Sequence, residues 1–174
     1  MASDMKQRVV PFFIAAAVVL LDRLTKEAIK SHFSPWDSLA VIPGFFNIVH
    51  TENPGIAFGL LADVSNPWRD VLLIGFSLAV LLVISAVLVR PDPAGAHGPL
   101  LRAGLALVLG GAFGNLYDRL VHKTVTDFVE VHWGPYYFPA FNVADSAITV
   151  GACLLLLDMW RTRERKPEAV DVPR

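Results

Sequence analysis

Two short motifs place carboxylates where their chemistry would be unusual. "VTDF" (Val125–Phe128) sets Asp127 in a strand-like alternation, and "FNVADSAI" (Phe141–Ile148) sets Asp145 at the mouth of an apolar run. Val125, Asp127, Val129 and Val131 share one face of a period-two strand, with Glu130 on the opposite, polar face. The chain between the two aspartates is short enough to bring them together. Two carboxyl groups in a desolvated site cannot both ionise; one pKa rises and the pair holds a single proton. Such a pair activates water. The ionised member takes a proton from the water, and the protonated member hydrogen-bonds a scissile carbonyl oxygen and later helps protonate the leaving nitrogen. On the residues alone, two independent capping or surface aspartates compete with this reading.

Other polar residues cluster beside them. Asp22 and Lys26 are four apart, so they share a helix face and can pair. Asn115 and Arg119 share a face in the same way, and Asp118 lies about 100° around from Arg119. Structural ion pairs that lock a helix bundle are the plainer account of Asp22, Lys26 and Asp118. In "ENPGIAFG", Asn53 can offer both a donor and an acceptor to a peptide backbone, although "NPG" is also an ordinary turn. A serine–lysine dyad of Ser146 with Lys26 is a second possible chemistry, but Asp-Ser at a helix start is also a capping pattern. The five histidines show no HExxH spacing, and no metal or other cofactor is expected.

The elements that must carry these residues follow from composition. The chain has 174 residues, 54% of them hydrophobic and 18% charged, with mean hydropathy +0.50. That is a membrane composition. The near-zero net charge excludes a general nucleic-acid-binding surface. The lone Cys153 lies in an apolar run and is expected to be a packing residue. Four apolar runs predict four transmembrane helices over about 9–29, 70–90, 100–120 and 139–160. The first run, Val9–Leu21, has 13 residues, roughly 20 Å of helix. It must continue through Asp22 and Lys26 to span, and it reads as a retained helix rather than a cleaved signal peptide. The fourth must begin near Pro139 or Ala140, which draws Asp145 into the membrane.

Arg90, Arg102 and the "RTRERK" tail share a side with Lys6 and Arg8. The positive-inside bias makes that side cytoplasmic: the N-terminus, the 91–99 connection and the tail 161–174. The loops 31–70 and 121–138 then face outward. With this topology Asp22, Lys26, Asn115, Asp118, Arg119 and Asp145 all fall at the outer level of three helices. Intramembrane charges that converge in this way face the bundle interior and mark function. Strand formers around Pro43-Gly44 and in 125–131 predict a small sheet on the outer membrane surface. Trp133, Tyr136, Tyr137 and Phe138 read as an interfacial aromatic belt. Ala106, Gly110 and Gly114 form a small-residue row that admits a closely packed helix, internal or belonging to a substrate.

Taken in order, "LDRLTK" (Leu21–Lys26), "NPGIAFG" (Asn53–Gly59), "GNLYDR" (Gly114–Arg119), "VTDF" and "FNVADSAI" resemble the motifs of the bacterial lipoprotein signal peptidases, signal peptidase II. The resemblance covers essentially the whole chain except its ends. It implies a single 1–174 domain: a four-helix membrane bundle with a small extracytoplasmic β-sheet or cradle, in the bacterial inner membrane. It implies an aspartyl endopeptidase that cleaves the signal peptide of prolipoproteins just before a diacylglyceryl-modified cysteine. Asp127 and Asp145 would be the catalytic pair. Asn53, Gly55, Asn115, Arg119 and Asn142 would contact substrate, with Asp22, Lys26 and Asp118 as support. Its partners would be the modified prolipoprotein and membrane lipids, and the chain would act as a monomer. Pro54 and Ile56 depart from the smaller or polar residues frequent in the family, which bears on loop shape rather than on the reaction. From other classes, a small transporter or proton-conducting subunit would also carry intramembrane acids, but a relay needs them at successive depths. A non-catalytic assembly module would not need the aspartate pair at all.

Overall fold

The computed structural model describes residues 2–55, 67–90 and 98–164. Residues 56–59 of the "NPGIAFG" motif, residues 91–97 of the expected cytoplasmic connection and the tail from Arg165 onward lie outside the described residues. The protein is mostly helical, with helices α1 (Ala2–His32), α2 (Pro67–Val89), α3 (Pro99–His122) and α4 (Val143–Glu164). Among the described residues three helices are long and apolar enough to cross a membrane: Trp68–Val89, Pro99–His122 and Val143–Arg163. Pro99 starts α3 at a position where its missing N–H costs nothing. Lys123, in the left-handed conformation with φ 67°, ends it.

Helix α3 is the centre of the bundle, with half of its span buried in protein against 11% for α2. Its small residues explain the difference. A Cβ on Gly110 would lie 2.7 Å from the Ala15 carbonyl oxygen of α1, and one on Gly111 would lie 2.3 Å from the Ala144 carbonyl oxygen of α4. At Gly104 and Gly151 each Cβ would meet the other's carbonyl oxygen at 2.9 and 2.7 Å. The row Ala106–Gly110–Gly114 therefore packs an internal neighbour, α1, and a second set of glycines on α3 receives α4. Backbones that approach this closely gain van der Waals contact along their length, which is what holds helices together where solvent supplies no hydrophobic drive.

Strands β1 (Ser38–Ile42), β2 (Phe46–Asn53), β3 (Val125–Trp133) and β4 (Tyr136–Tyr137) form an antiparallel sheet in that order. The first hairpin turns at Pro43-Gly44, where Gly44 takes φ 78°. The strict in–out alternation expected of β3 does not hold at its start. Val125, Thr126, Asp127 and Phe128 are all buried, because the strand passes between β2 and the ends of α1 and α3.

The fourth helix begins later than the apolar pattern suggests. Phe141 still belongs to the sheet, bridging Val129, and Asn142 caps the helix, so α4 starts at Val143. Cys153 is exposed on α4 rather than packed in the interior.

The interior has two zones. Ala15, Ile84, Leu88, Leu105 and Leu109 make an apolar core between α1, α2 and α3. Toward the sheet the buried residues become polar: Asp22, Lys26, Asn115, Asp118, Thr126, Asp127 and Asn142.

Candidate active site

The polar zone is built on Lys26. Its Nζ lies 2.8 Å from Asp22 Oδ2 and 2.8 Å from Asp118 Oδ2, and all three side chains are fully buried. Arg23 adds a second cation to Asp118, lies over the Tyr117 ring and also binds Glu27. The two buried carboxylates are thus balanced by two cations, which is what lets them stay out of water. Lys26 also donates to Asn115 Oδ1 at 3.2 Å. Asp118 and Arg119 face different partners, as their angular separation requires. Arg119 donates to the Gly55 carbonyl oxygen at 3.0 Å and to the Asn115 carbonyl oxygen at 3.3 Å.

From Asn115 the network reaches both aspartates. Asn115 Nδ2 donates to Asp145 Oδ1 at 2.8 Å. Asn142 does more. Its Oδ1 accepts from the Asp145 N–H at 2.9 Å, and its own N–H points back at Asp145 Oδ2 at 3.3 Å. This is a reciprocal capping box with Asn at the N-cap and Asp at the third helical position. The same Asn142 side chain donates through Nδ2 to Asp127 Oδ1 at 2.7 Å. One amide therefore ties both carboxylates. Asp22 supports the same turn by accepting from the Ala144 N–H at 3.0 Å. Two carboxylates at the first turn of α4 also suit the positive end of its dipole.

Asp127 is 3% exposed. Burial, and next the Asp145 charge, push its pKa up to about 7, against hydrogen bonds from Asn53 and Asn142 and the Lys26 charge. Asn53 Nδ2 donates to Asp127 Oδ2 at 3.1 Å, while Asn53 Oδ1 accepts from the Gly55 N–H at 2.9 Å. Both aspartates line a cavity of about 580 Å³ with Asn53, Asn115, Arg119, Val125, Phe138, Phe141 and one side of α4 from Ser146 to Val150.

The residues singled out from sequence thus meet at one place, but one stands differently from expectation. Asn142 is fully buried and does not line the cavity, so it cannot touch substrate in this state; its polar atoms are spent on Asp127, Asp145 and their surroundings. Asn53 gives one N–H to Asp127 and one lone pair to the Gly55 N–H; it also lines the cavity, with a second N–H and a second lone pair remaining for a peptide backbone. Ser146 hydrogen-bonds the Asn142 carbonyl oxygen at 2.9 Å, while Lys26 is bound to Asp22, Asp118 and Asn115, so the serine–lysine alternative has no assembled pair. Arg119 Nε is buried without a hydrogen-bond partner among the described residues.

The chain matches the family described as Signal peptidase (SPase) II over residues 14–161. It belongs to that family. Among signal peptidase II relatives, the "Lipoprotein signal peptidase" of Solibacter usitatus is 44% identical over 155 residues, 87% of this chain and 91% of that protein. The protein of the same name from Pseudomonas aeruginosa strain UCBPP-PA14 is 46% identical over 154 residues, 87% and 88% of the two chains. That of Neisseria meningitidis serogroup C is 39% identical over 168 residues, 97% and 99%. A solved structure described as a bacterial membrane enzyme determined by the in meso method at 2.3 Å superposes with TM-score 0.79 at 28% identity, over 93% of this chain and 94% of that one. This signal peptidase II chain is accordingly a peptidase of a bacterial membrane. Nothing in these relatives supports the transporter reading.

Proposed function

We infer that this lipoprotein signal peptidase removes signal peptides from prolipoproteins with Asp127 and Asp145 as its catalytic pair, cutting just before a diacylglyceryl-modified cysteine. The observation that carries the assignment is the single buried amide of Asn142, bonded to Asp127 and capped onto Asp145 at the wall of the cavity.

With a pKa of about 7, Asp127 is the member that holds the proton near neutral pH. Asp145 takes a proton from water as the water oxygen bonds to the scissile carbonyl carbon, and Asp127 gives its proton to the carbonyl oxygen. The gem-diol then collapses. Asp145 passes its proton to the leaving nitrogen as the C–N bond breaks, and one hydroxyl returns a proton to Asp127. The unpartnered Nε–H of Arg119 supports a substrate contact there. Asn115 and Asn142 position the pair, and Asp22, Lys26 and Asp118 hold the helices that carry it.

Two further points complete the reading. The continuous 31-residue α1 serves as a fourth span, with its charged turn sheltered against α3 and α4. Arginines at Arg90, Arg102, Arg161 and Arg163 support a cytoplasmic side for those ends by the positive-inside bias, and with it an outer-leaflet side for the sheet and the cavity. An acyl-anchored substrate presents its scissile bond at that level.

The decisive experiment is cleavage of acylated and unacylated prolipoprotein by wild type, Asp127→Asn and Asp145→Asn. Each substitution is expected to lower kcat by ~10²- to 10⁴-fold or more, and only the acylated substrate should be cut efficiently. Wild-type turnover by either variant would remove the pair. Equal cleavage of the unacylated substrate would remove the lipid dependence.

A further inference from the structure

His50 and Glu52 lie on β2 just before Asn53, outside the cavity, and no step above uses them. Ile48 opposes Val129 while Thr51 opposes Asp127, so β2 carries one extra residue between them. A bulge of this kind bends its strand and re-aims the side chains beyond it, here Asn53. His50 sits in the bulge at 5% exposure. Its N–H donates to the Asp37 carbonyl oxygen at 3.1 Å, and its carbonyl oxygen accepts from the Trp36 N–H at 2.8 Å. The ring reaches in two directions. Nδ1 lies 2.8 Å from the Phe33 carbonyl oxygen and Nε2 lies 3.0 Å from Glu52 Oε1.

A carbonyl oxygen only accepts, so Nδ1 carries a hydrogen. The Nε2–Glu52 contact needs a second hydrogen, on one partner or the other. Glu52 is also the acceptor for two threonines: Thr126 Oγ1 donates to Oε1 at 3.1 Å and Thr124 Oγ1 donates to Oε2 at 2.6 Å. Burial alone would raise the Glu52 pKa, but hydrogen bonds from Thr124 and His50, the Lys30 charge and the Thr126 hydrogen bond together lower it. Glu52 is thus held at Oε2 by Thr124 and at Oε1 by Thr126 and the His50 ring.

The network leads straight to the aspartate pair. Thr126 is fully buried, precedes Asp127, and accepts from Asn142 Nδ2 through its carbonyl oxygen at 3.3 Å. Asn53, next to Glu52, donates to Asp127. We propose that Glu52, held by the His50 ring, is a positioning residue for the reaction. It ties the end of β2 to the start of β3, so that Asn53 and Asn142 present their amide N–H groups to the two oxygens of Asp127. This rests on the reading of Asp127 and Asp145 as the catalytic pair.

The test uses full-length enzyme in detergent micelles with an acylated prolipoprotein. Glu52→Ala is expected to lower kcat per folded molecule by ~10- to 100-fold, the scale of a misplacement of about 1 Å, with KM nearly unchanged. Glu52→Gln should recover most of that loss, because its amide oxygen accepts from Thr124 while its N–H₂, in the place of Oε1, meets Nε2 and the Thr126 hydroxyl oxygen. If Glu52→Ala does not fold, Thr124→Val takes its place, with a several-fold fall in kcat expected. Wild-type kcat in the alanine or valine variant, or a Glu52→Gln variant as impaired as Glu52→Ala, overturns the proposal. Activity retained by Asp127→Asn, with Glu52→Ala impaired, would instead count against the catalytic pair.

Discussion

Asn142 shows how much one side chain can decide. Its oxygen caps α4, and its nitrogen reaches Asp127. An alanine there removes the cap, worth about 1 kcal/mol, and leaves neighbouring buried groups unpaired at about 1–3 kcal/mol. Asn142→Ala is therefore expected to melt earlier in detergent and, in the folded fraction, to lose kcat with little change in KM. Asp127 carries a pH signature. Its pKa is raised from 3.8 to about 7 in the folded protein. Between those values the folded state binds a proton that the unfolded state has released, so stability falls as pH rises from about 4 to about 7. Asp127→Asn removes that penalty. Relative to wild type it should gain up to about 4 kcal/mol of stability between pH 4 and pH 8, measurable as a widening gap in thermal midpoints. On the proposed mechanism, wild-type kcat/KM should fall as pH rises through about 7, where Asp127 loses its proton.

Among the elements, α3 is the one that tolerates least. Gly111 faces the Ala144 carbonyl oxygen, one residue before Asp145. Gly111→Ala forces α3 and α4 apart and moves the Asp145 carboxylate. The expected cost is about 1–3 kcal/mol, with a fall in kcat. A Cβ on Gly75 of α2 would meet nothing within 4 Å, so Gly75→Ala should be neutral or stabilising by up to about 1 kcal/mol. Thermal unfolding of the pair separates a packing requirement from a general dislike of substitution. Lys26 ties α1 to α3 through two buried carboxylates. Lys26→Ala leaves both without it, and a loss of about 3–5 kcal/mol is expected, read as a sharp drop in folded yield.

Taken together, the outward faces of the helices are apolar: Phe13, Leu20, Phe76, Leu82, Leu156 and Met159 are each at least 60% exposed. Such a surface suits a lipid environment rather than water. Trp36, Trp133 and Tyr136 stand exposed near the sheet, as side chains suited to the membrane–water interface. Cys153 tests this placement. It is exposed and lies eight residues along α4 from Asp145, roughly 12 Å. In sealed vesicles of either orientation a membrane-impermeant maleimide should leave it unlabelled, whereas a lipid-soluble maleimide should react. Labelling by the impermeant reagent would place this face of α4 in water.

Much of the architecture was legible because it follows from lengths and periods. Apolar runs marked the helices, the Pro43-Gly44 turn marked a hairpin, and the span length needed by each helix put Asp22, Asn115 and Asp145 at one level. The start of α4 was also available in the Asn142–Asp145 spacing of three, the signature of a capping box, though the apolar run pointed earlier. Other features had no local signal. Glu52 acquires meaning only from threonines more than 70 residues away, and Arg23 only from Asp118 on another helix. Asn142 and Asn53 were recognisable as polar residues near the site, yet whether an amide faces substrate or a neighbouring carboxylate depends on which elements close around it. Which residue types could do the chemistry, and on which elements they lie, was readable from the chain alone, since helix rise and strand alternation are local properties. Which of them touch was settled only in the folded molecule, because burial, hydrogen-bond partners and the raised Asp127 pKa arise when β2, β3, α3 and α4 converge.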